Sequence, residues 1–264
     1  MKKIAIIGAG NMGGAIARGL TQSDLVASIT VSDINQTALD QLAAFHSSIS
    51  TTNSNAAAVK GADIVILAVK PWLVQTVAQD IKEVLDYQQQ IVVSIAAGVA
   101  LDDLATLFAK DSNLPELFRI IPNTAIDVLQ SVSTIAAHSN ASNENKQLIC
   151  ALFDQLGKTF LVPESQLNAL MSLSSCGIAY AFRYIRASIE GGVEMGIYHQ
   201  VAKEVVLQTL RGAVELLEAN ESHPEVEIDK VTTPGGITIK GLNEMEANGF
   251  SNAVIKGLKA SLIK

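Results

Sequence analysis

Cysteine is scarce in this chain of 264 residues, which carries only Cys150 and Cys176. Neither belongs to a CxxC pair or to a metal-binding spacing, and one lone pair in a chain this long makes no disulfide framework. A reducing, cytoplasmic protein is expected. Basic runs are lacking too. The formal net charge is −7 and the Lys and Arg residues are scattered, so nothing tracks a phosphate backbone and no nucleic-acid partner is expected. No stretch of 18 or more apolar residues occurs, and no membrane span is predicted. The opening MKKIAIIGAGNMGGAIA imitates a secretory leader, but four glycines and Asn11 interrupt its apolar core, so cleavage is not predicted. The histidines, His46, His138, His199 and His223, are too dispersed to ligate a metal together. Solvated or capping roles are expected for them, and no metal is predicted.

What is present is a core-rich composition, 48% hydrophobic and 17% charged, in a chain long enough to bury one large core or two modest ones. From Lys3 to about Val162, short β-branched runs (IAII, SITV, DIVILAV, QIVVSIA) alternate with amphipathic or alanine-rich stretches. That rhythm predicts βαβ units. The continuous apolar run Ile64 to Val69 suits a strand covered on both faces, as in a parallel sheet. LFRII and SVSTIAA continue the sheet and KTFLV closes it. After Pro163 the strand signal stops, and helical patterns with short breaks near Gly177 and from Gly196 to Gln200 follow. The expectation is a doubly wound α/β domain over residues 1–162, then an all-helical domain over 163–264. The helical part contains weakly charged stretches such as CGIAYAF, and is expected to bury one face against a second subunit.

Gly8, Gly10 and Gly13 form GxGxxG between the first strand and the first helix, and Asp33 ends the second strand 20 residues after Gly13. Such glycines let backbone amides approach a pyrophosphate whose charge the helix start favours. Dinucleotide binding is therefore predicted. Asp33 suits a ribose 2′-hydroxyl and repels a 2′-phosphate, a lean toward NADH; Ser32 and Asn35 are small hydrogen-bonding neighbours compatible with NADH or NADPH. LAVKP, Leu67 to Pro71, ends a strand at the ligand-binding edge of such a sheet, where Lys70 either faces phosphates or reaches solvent. In RIIPNTA, Arg119 to Ala125, Pro122 and Asn123 fit a plain turn as well as a place beside the nicotinamide.

The stretch VTTPGGITIK, Val231 to Lys240, breaks a helical region with Pro234, Gly235 and Gly236. It is read as an entry into a helix beginning near Ile237, whose first amides can hold a carboxylate. Thr238 sets a hydroxyl in that first turn, although an ordinary interhelical loop with threonine capping is the plainer alternative.

Taken together, AVKP, PNT, CGIAYAF, EGGVEMG and TTPGGIT in this order resemble the pyrroline-5-carboxylate reductase family over nearly the whole chain. Two departures are visible, Ala125 and Ile178, where the family usually has proline. The resemblance implies a Rossmann domain that holds NADPH or NADH, and a helical domain interleaved with a partner, so that the active site draws on two protomers. It implies homodimers, often assembled into decamers, and a small-molecule substrate, 1-pyrroline-5-carboxylate, reduced to L-proline. By motif position, Gly8, Ala9, Gly10, Asn11, Met12, Asn55, Ala68, Val69, Lys70, Pro71, Ala96 and Ala97 would contact the cofactor. Gly13, Asp33, Asn35 and Asn123 complete that set. Glu164, Lys230, Gly235, Gly236, Ile237 and Thr238 would lie at the substrate, with Thr238 as the catalytic candidate; Lys230 replaces an asparagine common in the family. Two other readings share the architecture. A β-hydroxyacid dehydrogenase would need a lysine acid–base in the first long helix of the second domain, and Ala169 to Met195 contains none. A non-catalytic NAD(P)H-sensing dimer would be free to lose its substrate loop, whereas Gly235, Gly236 and Thr238 are present.

Overall fold

A computed structural model describes residues 1–262. By its contacts the chain divides into two compact units, Met1–Ser175 and the residues from Cys176 onward.

The first unit holds eight strands: β1 (Lys2–Ile7), β2 (Val26–Ser32), β3 (Ile49–Thr52), β4 (Ile64–Leu67), β5 (Ile91–Ser94), β6 (Glu116–Ile121), β7 (Ser131–Ala137) and β8 (Gly157–Leu161). They form one sheet in the order β3-β2-β1-β4-β5-β6-β7-β8. β1 to β6 are parallel, β7 runs antiparallel to β6, and β8 is parallel to β7. Between them lie α1 (Asn11–Leu20), α2 (Gln36–Phe45), α3 (Asn55–Val59), α4 (Val74–Ile81), α5 (Leu101–Phe108) and α6 (Asn143–Asp154), and α7 (Leu167–Met171) follows β8. This is the doubly wound Rossmann arrangement expected. The edge strand β3, with the sequence ISTT, lacks the continuous apolar run that marks the central strands.

Period-two alternation explains the two layers. Ile4 and Ile6 of β1 enter one core with Ile16 and Leu20 of α1, Leu39 and Leu42 of α2, and Ile149 and Phe153 of α6. Ala5 and Ile7 point the other way, into a second core with Val74 and Ile81 of α4, Leu104 and Phe108 of α5, and Leu167 of α7. Each fully buried Ile, Leu or Phe contributes about 1.5–3 kcal/mol over an exposed one. The sheet is therefore held from both faces, and its strand ends are rigid supports. The apolar contacts of Leu167 and Met171 tie α7 to the sheet, so this short helix belongs with the first unit by packing.

The second unit consists of α8 (Gly177–Glu194), α9 (His199–Asn220), α10 (Pro224–Lys230), α11 (Ile237–Ala247) and α12 (Phe250–Ala260). Of the two breaks expected, the one from Gly196 to Gln200 is present, whereas near Gly177 the chain stays helical, α7 passing through a π turn over Ser172–Cys176 into α8. Gly196 adopts φ +90° between α8 and α9, and Pro224 opens α10 behind His223, whose ring accepts the Glu225 N–H. No helix among the described residues is long and apolar enough to cross a membrane.

Candidate functional site

The strand order reverses direction between β1 and β4, and a cleft of about 660 Å³ opens there, past the carboxyl ends of the parallel strands. Such a switch point is where open α/β sheets bind ligands. Gly8, Gly10, Asn11 and Met12 line it from the turn after β1. Gly8 has φ +109°, and a Cβ on Gly13 would come within 2.0 Å of the Gly8 carbonyl oxygen, so only glycine permits this turn. The first α1 hydrogen bond runs from the Gly14 N–H to Gly10 O at 2.8 Å. The N–H groups of Asn11, Met12 and Gly13 therefore precede the helical ladder and suit an anion.

Asp33 borders the same cleft. Its Oδ2 accepts the Ala9 N–H at 2.6 Å and its Oδ1 the Asn35 N–H at 2.8 Å. These bonds hold the carboxylate against the glycine turn, and each oxygen keeps acceptor capacity for a sugar hydroxyl. Asn35 caps α2, its side chain accepting from Ala38 N–H. Asn55 accepts from the Ser32 hydroxyl at 2.8 Å and donates to Asp80.

Ala68, Val69, Lys70 and Pro71 follow β4 into the cleft, and Ala96 and Ala97 follow β5. Lys70 is exposed there and makes no ion pair among the described residues. Asn123 is buried and faces its own turn. Its side chain accepts the Ala125 N–H at 3.1 Å and donates to Ser174 O at 3.3 Å. Ala9, Gly13, Asn35, Asn55 and Asn123 thus support the cleft without lining it. Five lining residues carry no sequence signal: Leu73, Ile95, Ile121, Met171 and Ser175. The apolar four read as ordinary core. Ser175 reaches the cleft from a π-helical turn over Ser172–Cys176 that no periodicity announces.

Of the residues expected at the substrate, Glu164 lies in the first unit, where its Oε1 accepts from Arg119 Nη1 and from the Leu101 N–H, both at 2.9 Å. The others lie in the second unit. Gly235 has φ +73° and its neighbour Gly236 donates to Thr233 O, forming the expected tight entry. Gly236 is the N-cap of α11 and offers no side chain, so the first α11 amides lack a capping acceptor. Thr238 is the second residue of that helix and is exposed, as is Ile237. Lys230 pairs with Glu227 at 2.7 Å within α10, and that hydrogen bond, helped by Ser222, holds the Glu227 carboxyl below its ordinary range.

Three of the four histidines bond close neighbours in sequence, and His199, exposed at the start of α9, stands 3.4 Å from Arg186 Nη1. Besides the His223 cap, His46 and His138 bond Ser48 and Asn140 two residues on. Cys150 and Cys176 are both free.

Residues 164–264 match the family model for pyrroline-5-carboxylate reductase dimerisation, and residues 3–98 match one described as NADP oxidoreductase coenzyme F420-dependent. The chain is 36% identical to pyrroline-5-carboxylate reductase 1 of Dictyostelium discoideum, with 98% of this chain aligned but only 48% of that relative's length spanned. It is 33% identical to the pyrroline-5-carboxylate reductase of Arabidopsis thaliana, covering 98% of this chain and 94% of the relative. Among solved structures, 1-pyrroline-5-carboxylate reductase from Streptococcus pyogenes superposes with a TM-score of 0.86 at 31% identity, over 99% of this chain and 96% of the other. With the fold, the glycine turn and both ends of the chain in agreement, the chain belongs to the pyrroline-5-carboxylate reductase family.

Proposed function

We propose that this protein reduces the C=N bond of 1-pyrroline-5-carboxylate with NAD(P)H to give L-proline. The reading is carried by two features, each within its own unit: a glycine-cradled α1 start in the first and a glycine-capped, exposed α11 start in the second. Each helix start leaves its first amides without a side-chain cap, which suits a pyrophosphate at α1 and a carboxylate at α11.

The residues present fit the cofactor, because a Cβ at Gly10, which lines the cleft, would meet no protein atom within 4 Å and would stand in the space its phosphates need. When bound, the reduced nicotinamide supplies the hydride that the imine carbon accepts. The α1 amides hold the pyrophosphate, and Asp33 accepts from the adenosine ribose, which favours NADH over NADPH. Gly235, Gly236 and the first amides of α11 hold the substrate carboxylate, with Ile237 against the ring. Thr238 hydrogen-bonds the ring nitrogen, which must carry a proton as the hydride arrives. Orientation is the main contribution of these groups, since the chemistry needs no strong base.

The exposed apolar side chains of the helical unit, among them Phe182, Tyr198 and Val205, support a homodimer, with assembly to a decamer as the larger form, working in the cytoplasm. Oxidation of NADH and of NADPH, each followed with 1-pyrroline-5-carboxylate, tests the activity. Turnover with neither would overturn the reading. A preference for NADPH above roughly tenfold would overturn only the role given to Asp33.

A further inference from the structure

We propose that Glu227 is a positioning residue for the imine, holding the Lys230 ammonium in a charge-balanced pair that keeps two of its N–H groups for the substrate. This role depends on the reading that the α11 start holds the imine carboxylate.

Three side chains converge on one oxygen, Glu227 Oε1. Asn220 Nδ2 donates from the end of α9 at 3.1 Å, Ser222 Oγ from the corner that follows, and Lys230 Nζ from the end of α10 at 2.7 Å. An ion pair one helical turn apart is ordinarily loose, because both stems stay mobile and water competes. This pair differs on its acidic side. The Glu227 side chain is only 16% exposed, against 54% for Lys230, and two neutral donors fix its carboxylate independently of the lysine. The same bonds, Lys230 first and Ser222 next, hold the carboxyl below its ordinary range, so the anchor stays ionised at neutral pH.

Position and charge give the anchored ammonium its use. Lys230 ends α10, and residues 231–236 lead from it to α11. That link is drawn in by local bonds, Thr232 Oγ1 donating to Ile228 O and Asp229 O and the Gly236 N–H to Thr233 O. From Glu221 to Lys230 the chain carries four carboxylates, on Glu221, Glu225, Glu227 and Asp229, and Lys230 is its one Lys or Arg. An anionic substrate approaching the α11 amides therefore has one cation to meet in this acidic stretch. An ammonium has three N–H groups, and Glu227 takes one. The other two stay available on a stem that would otherwise spread over many rotamers, so the anchor lowers the ordering cost of binding.

The test uses the full-length protein, with imine KM, kcat and NADH Kd as the measured quantities. Glu227→Gln keeps an acceptor and removes the charge that fixes the ammonium. Imine KM is expected to rise roughly tenfold, with kcat and NADH Kd within about twofold of wild type. Lys230→Met leaves Glu227 its other two donors, so it decides the matter even if Glu227→Gln folds poorly. It is expected to raise KM equally, and adding Glu227→Gln to it should change KM by less than about twofold. Glu227→Gln combined with Lys230→Asn is expected to recover most of the lost imine affinity, because an amide supplies two N–H groups with no charge to balance. A merely structural Glu227 would not be rescued from position 230. Absence of that rescue, an unchanged KM in Lys230→Met, or a Glu227→Gln effect that persists undiminished beside Lys230→Met would overturn the proposal. So would weaker NADH binding with imine KM intact, which puts the pair at the cofactor. Wild-type protein that oxidises neither NADH nor NADPH with 1-pyrroline-5-carboxylate would instead overturn the functional reading on which the pair depends.

Discussion

The sheet unit and the helical unit solve the burial problem differently. The first buries the apolar residues of β1 and of β3 to β6, with Ile6, Ile66 and Phe118 wholly inaccessible, and leaves edge residues such as Phe160 and Leu161 of β8 open. In the second, Ile189 and Ala202 are the buried hydrophobic residues among those described, while Phe182, Met195, Tyr198 and Val205 lie open. Both units are rich in apolar side chains, so composition does not separate them. The first closes its core within one chain, whereas the helices of the second present apolar faces that a single chain leaves wet. Exposed patches on that scale mark an interface, and the match of this region to a dimerisation model agrees. The difference teaches that a long amphipathic pattern predicts burial without saying whose atoms do the burying.

Three variants would break that contrast apart. The largest effect is expected from Gly13→Val, whose side chain would collide with the Gly8 carbonyl and with Ala68 Cβ. Cofactor affinity should fall by roughly a thousandfold or more as the turn opens, with the oligomer intact, as calorimetric titration and sedimentation would read. Retained affinity would show that the turn is not the phosphate cradle. Thr238→Ala comes next. It lies in the helical unit, so cofactor binding should be unchanged while turnover drops by roughly one to three powers of ten, in line with loss of an orienting hydrogen bond. Steady-state kinetics with wild-type values would remove the hydroxyl from the mechanism. Smaller again is Phe182→Asp, at a side chain 64% exposed in the single chain. In a monomer this exchange would be close to neutral. Across an interface it should weaken association by about 2–4 kcal/mol and leave the sheet unit able to bind NADH. A sedimentation profile identical to wild type would mean that this face is not covered.

The sheet unit was legible because its signals are local. Apolar runs mark β1, β4 and β5, and Gly8, Gly10, Gly13 and Asp33 fall at spacings that one strand, one turn and one helix dictate. Only ISTT escaped, since an edge strand needs few apolar residues. The late loop was legible too, as Pro234, Gly235 and Gly236 admit little besides a tight entry to α11. What the sequence hid depends on distance along the chain. The bond from Arg119 to Glu164 joins residues 45 apart in sequence, and no pattern within either segment encodes it. Met171 reads as core, which it also is, and the π turn that turns Ser175 toward the cleft leaves no mark in hydrophobic periodicity. Lys230 shows the converse. Motif position assigns it to the substrate, yet its ammonium is engaged by Glu227 three residues earlier.

The smallest effect sharpens the contrast within the sheet unit itself, between residues that line the cleft and residues that support it. Asn35 was expected at the cofactor, but its side chain accepts the Ala38 N–H at 3.2 Å and caps α2, while its own N–H holds Asp33 in place. Asn35→Ala removes the cap and keeps the backbone N–H. Stability should fall by about 1 kcal/mol, the usual cost of losing an N-cap, visible as a lower urea midpoint with an unchanged slope. Because Asp33 keeps its donor, cofactor Kd should stay within about twofold. If Kd rose without loss of stability, the side chain would be touching the ribose, and the line between lining and supporting residues would have to be redrawn at this position.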